Sequence, residues 1–176
     1  MLFAAFAVIT AFTAPVTGGA ATWQVEPGMI GTQYVGRAPA DGPLIVKDWR
    51  SDGGLYVSDD LKAVMFYSNE TRIGVGLETF RHREADGVAA WEIANFMSAP
   101  ANRETSFVST DCGLGPDFEA QRSATEFVVA VVDGSKAPAE ELFNSGIVAA
   151  VQVDLKAGIL APVSVAGVYC IQSLDD

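Results

Sequence analysis

A single histidine limits the chemistry open to this sequence. His82 stands between Arg81 and Arg83, and no other imidazole exists to share a metal with it. A multi-histidine zinc site is therefore excluded, and a serine–histidine–aspartate arrangement would have to draw its base from this position. No G-x-S-x-G elbow supplies the serine. The triplet has two readings. One is a solvated basic edge beside the Asp86-Gly87 turn, and the other is an anion-binding corner of two guanidiniums and an imidazole. Strand alternation weighs against the corner, because Arg81 and Arg83 would face one side and His82 the other.

The acids offer less than their number suggests. Asp48, Asp52 and Asp59, with Gly53 between them, fall on offsets of a calcium-binding loop, but Arg50 puts a cation where that loop needs a ligand. No metal site is expected. Paired carboxylates for glycoside hydrolysis require a defined separation, and among 22 acidic residues some pair always fits. The sequence contains no P-loop, no dinucleotide-binding glycine pattern, no C-x-x-C and no H-E-x-x-H. No cofactor is expected.

Trp49 and Arg50 form the remaining candidate, in a turn flanked by Asp48 and Asp52. A large aromatic in such a turn usually folds back under its own loop. Left exposed beside Arg50, it would instead suit recognition of a partner. The candidate binding residues are thus Trp49, Arg50, Arg81, His82 and Arg83.

The elements that position these residues read as strands. Ile147, Ala149, Val151, Val153 and Leu155 alternate with a more polar face, the period of a half-buried strand. Lys156-Ala157-Gly158 marks a turn, and a second alternating run continues to Ile171. Phe127–Val132 has no polar face and is expected to be a central strand buried on both sides. Thr71, Ile73, Val75, Leu77 and Thr79 share one face of another strand, while Gly74 and Gly76 on its other face admit a close neighbour. Asp52-Gly53-Gly54 reads as a hairpin turn. Ser135, Pro138 and Gly146 bracket one expected short helix with its body at 139–143. Between Trp23 and Pro43, dense Gly and Pro predict an irregular arm anchored by Trp23 and Tyr34.

These elements predict a mainly β single domain, a β-sandwich or partly open barrel with one short helix. An α+β fold is the alternative if 61–67 or 91–97 is helical. Residues 1–21 are expected to be a secretory signal peptide, with an apolar run and then small residues, although no Lys or Arg precedes the run. The β-rich domain would then occupy 22–176 and be secreted or periplasmic. In that compartment Cys112 and Cys170, the only cysteines, are expected to form a disulfide.

The net charge of −11 argues against nucleic acid and anionic membranes as partners. An exported non-enzymatic binding module is therefore expected, acidic and not membrane-embedded once the signal is removed. Its partner would be a protein, a peptide or an envelope component. The alternatives are a small carboxylate-dependent hydrolase or lyase, and a barrel carrying a small ligand.

Overall fold

The computed structural model describes residues 22–36, 45–57, 62–118, 123, 125–136 and 141–172. The expected signal peptide lies outside them. The described chain is mainly β, with two antiparallel sheets, one of them curled into a half-barrel. Its strands are β1 (Gln24–Val25), β2 (Gln33–Val35), β3 (Ile45–Val46), β4 (Trp49–Val57), β5 (Lys62–Ser68), β6 (Arg72–Arg83), β7 (Ala89–Pro100), β8 (Ser106–Leu114), β9 (Glu126–Asp133), β10 (Leu142–Phe143), β11 (Ile147–Asp154), β12 (Ile159–Val163) and β13 (Val168–Ile171). The first sheet runs β1-β7-β6-β5-β4-β3 with β2 also on β7, and the second runs β10-β13-β8-β9-β11-β12. The segments that had admitted a helical reading, 61–67 and 91–97, lie in strands wherever they are described.

Alternation explains how the sheets stack. Val64, Ile73, Val75, Leu77, Met97 and Ala99 of the first sheet meet Val129, Val131, Val151, Val153 and Leu155 of the second in one apolar cluster. Each fully buried aliphatic side chain contributes roughly 1.5–3 kcal/mol, so this layer carries much of the fold's stability. Both sheets also bury part of their other face. Val128, Ala130, Val132 and Phe143 form a cluster with Cys112 and Cys170 behind the second sheet, while Trp49, Met65, Tyr67, Ile93 and Phe96 pack behind the first. β9 is therefore buried on both sides, as its unbroken apolar run requires. Between the sheets, Lys62 Nζ donates to the Leu155 carbonyl at 2.5 Å.

Cys112 and Cys170 are bonded and face each other across β8 and β13, with Cα atoms 4.0 Å apart. The route to that bond differs from expectation. The run after Gly158 is not one strand: β12 pairs with β11, a 3₁₀ turn at Val165–Gly167 breaks the chain, and β13 joins β8 elsewhere in the sheet. The bond therefore links neighbouring strands of one sheet.

Two further expectations are corrected. Leu142–Phe143, the end of the expected helix, is strand, because Leu142 pairs with Ile171 and Phe143 with Cys170. Residues 137–140 of that helix lie outside the described residues. Asp52-Gly53-Gly54 is not a turn but an irregularity inside β4, where the register with β5 slips between Ser51 and Gly53. Gly53, at φ 110°, supplies the backbone that such a bulge needs. The reversal instead falls at Lys47-Asp48, with Lys47 at φ 55°.

Residues 22–36 form a strap along the edge of β7. β1 pairs with Ser98 and Met97, and β2 with Glu92, Trp91 and Ala90. Backbone hydrogen bonds from Glu26 to Phe96, from Gly31 to Ile93 and from Ile93 to Thr32 fill the interval. The strap's side chains grip both layers: Trp23 enters the inter-sheet core, whereas Met29 joins the outer cluster.

Candidate functional site

The sequence candidates do not assemble into one site. Trp49 is only 7% exposed and packs edge-on against Phe96, ring centroids 5.0 Å apart. It takes the under-the-loop course, so its indole face is not open to a partner. Arg50 is on the surface, 3.4 Å from Asp52. The basic triplet at the end of β6 is divided among separate acceptors. Arg81 donates through Nε and Nη2 to Glu92 Oε2 at 2.9 and 2.6 Å, His82 lies 3.0 Å from Glu84, and Arg83 donates to the Gly87 carbonyl. The β6–β7 register skips Arg81 between Phe80 and His82, which breaks the simple alternation expected for the three. The geometry is that of a solvated basic edge, and the anion-binding corner does not form. Of the calcium-loop acids, Asp52 is committed to Arg50, and Asp59 lies outside the described residues.

The most unusual polar feature was missed in the sequence. Glu78 is 2% exposed and accepts hydrogen bonds from the hydroxyls of Tyr34 on the strap and Tyr67 on β5. The backbone around it carries small or apolar residues. Gly74 and Gly76 precede it on the same face of β6, and a Cβ at Gly74 would sit 2.4 Å from the Phe96 ring. Its partner across β5 is the small Ala63. On the other side the β6–β7 register shifts between Leu77 and Glu78, setting Ile93 opposite it. Burial raises the Glu78 carboxyl above the ordinary glutamate range, opposed by the two tyrosine hydrogen bonds. Burial and the neighbouring carboxylate also push the Tyr67 phenol up. Tyr67 therefore stays protonated as a donor.

A second polar knot ties down the other end of the strap. Ser98 Oγ donates to Glu26 at 2.5 Å and accepts from Arg72 Nε at 2.8 Å, and Arg72 lies 3.4 Å from Glu26. Behind the second sheet, a cleft of about 220 Å³ opens beside Cys112, Phe118, Glu126 and Gln152. Glu126 is held there by Gln152. Among the described residues, no group of three or more His, Cys, Asp or Glu is placed to hold a metal, and no helix is long and apolar enough to cross a membrane.

Two edges remain. The β7 edge is covered by the strap, whereas β4 is paired with β3 only at Trp49 and Arg50. From Ser51 onward, among the described residues, β4 pairs on its β5 side alone. Along that margin Ile45 lies opposite Arg50, and Leu55 lies opposite the core residue Val64. Ile45 and Leu55 are 66% and 39% exposed. No β4 side chain among those described belongs to the inter-sheet cluster. No family model, curated protein or solved structure matches the chain.

Proposed function

We propose that this chain is an exported, non-enzymatic binding module that engages a protein or peptide along the open margin of β3 and β4. One observation carries the reading: among the described residues, β4 past Arg50 pairs on its β5 side alone, and exposed Ile45 and Leu55 border that margin. Such an edge can take another strand through main-chain hydrogen bonds, and its side chains then add specificity. The disulfide and the doubly buried β9 supply a stiff scaffold, which keeps the ordering cost of binding low. Arg50, braced by Asp52, adds a cation at the margin. The net charge of −11 favours a neutral or basic partner, whose association slows as salt is added.

Ile45→Asp/Leu55→Asp should leave the melting temperature near that of wild type, since neither residue belongs to an apolar core cluster. In pull-downs from the native exported fraction, the double variant should lose the specific partner that wild type retains. Equal recovery by two equally stable proteins would remove this margin as the binding surface.

A further inference from the structure

The strap is fastened by side chains of very different kinds. Gln33 donates to Glu92 at the surface, Glu26 meets Arg72 and Ser98, and Tyr34 reaches inward to Glu78. Only the last of these contacts ends on an acid withdrawn from water. With the strap in place, Glu78 has two hydroxyl donors and no described cation bonded to it. β5 turns Tyr67 to it and sets Ala63 opposite, β7 sets Ile93 opposite, and β2 brings Tyr34. The nearest charged residues in register are Lys62 and Glu92, both opposite Thr79; Lys62 donates to the Leu155 carbonyl and Glu92 is held by Arg81. Lifting the strap would remove Tyr34 and admit water to the carboxyl. The closed and open strap therefore present Glu78 with two different environments.

We propose that the Tyr34–Glu78–Tyr67 triplet is a proton-binding site that latches the strap: the strap holds while the carboxyl keeps its proton and loosens when the proton is lost. A buried acid without a cation favours its neutral form, and a hydrated one ionises readily. The closed strap therefore binds the proton more tightly than the open one, and linkage requires that proton loss favour opening. The sign follows from the burial of Glu78 among hydroxyls and apolar groups with no described cation bonded to it, and the raised pKa of its carboxyl agrees. Its contribution is fully present below the ordinary glutamate value and is lost as pH climbs through the raised one. Glu92 acts in the opposite direction. Its carboxyl is lowered by hydrogen bonds from Gln33 and Arg81, so its hold on the strap is lost only as pH falls through that lowered value. The two effects occupy separate pH windows. The latch sits at the β7 edge and does not depend on binding at β4.

The test is hydrogen exchange at the Glu26 and Gly31 amides, which bond the strap to β7, referenced to Val129 in the core. In wild type their protection should fall with rising pH by up to about tenfold per pH unit, the limit for one proton. In Glu78→Gln, which carries a permanently neutral side chain, it should stay flat. Matching pH slopes in the two proteins would overturn the latch. Tyr34→Phe gives an independent arm, because removing a donor that lowers the Glu78 pKa should shift the midpoint to higher pH. An unmoved or lowered midpoint would overturn the proposal even if Glu78→Gln failed to fold.

Discussion

Val129→Asp should abolish cooperative folding. Val129 is fully buried, lies opposite Val151 on β11, and packs in the inter-sheet cluster with Val75, Leu77 and Val153. An aspartate there has no described cation to pair with. Leaving it ionised costs several kcal/mol after relaxation, and neutralising it still leaves a polar carboxyl among methyl groups. Total stabilities of domains this size are about 5–15 kcal/mol, and the same substitution also forfeits the valine's burial. Circular dichroism of the purified variant should show no cooperative thermal transition. A soluble protein with a sharp melt would mean that β9 is not the centre of the fold.

Cys170→Ser should lower stability by ~2–5 kcal/mol in urea titrations without reductant. The bond closes a loop with a sequence separation of 58 residues, which in the chain-entropy model is worth ~4 kcal/mol. The cost does not stop at entropy. Both sulfurs are buried beside Val128, Phe143 and Val168, so a serine hydroxyl would enter an apolar cluster. A loss below ~1 kcal/mol would show that the strand pairing of β8 and β13 suffices without the bond.

The parts legible in the sequence are those whose own pattern overrides their surroundings. β9 and β11 were readable because an unbroken apolar run and a strict period of two each have one cheap solution inside a sheet. The Gly74 and Gly76 face was read correctly as a place of close approach, now filled by Phe96, Tyr67 and Trp49. Where local propensity and tertiary pairing disagree, the sequence misleads. Glu141, Leu142 and Phe143 suit a helix, yet Leu142 and Phe143 complete the ladder on β13. The Asp52-Gly53-Gly54 signal is a real demand for unusual backbone, but a bulge satisfies it as well as a turn does.

The candidate site was less legible for a related reason. Glu78 shares the face of Gly74 and Gly76, and a strand with valine and leucine on one face and glycines on the other leaves no solvated side for an acid. That signal was present in β6 itself. Its two donors were not readable, because Tyr34 and Tyr67 arrive from separate segments and only the sheet order brings them together. The one-sided pairing of β4 past Arg50 among the described residues is likewise a property of sheet order. Ile45 and Leu55 carry no pattern that distinguishes them from core residues.

The reading of the chain as a module that binds through this margin is tested most directly by site-specific photocrosslinking in the cells that produce it. A crosslinking side chain at Leu55 should give a discrete adduct with a partner, while the same group at Ala157, exposed in the β11–β12 turn, should give none. No adduct at Leu55, or the same adducts from both positions, would contradict it.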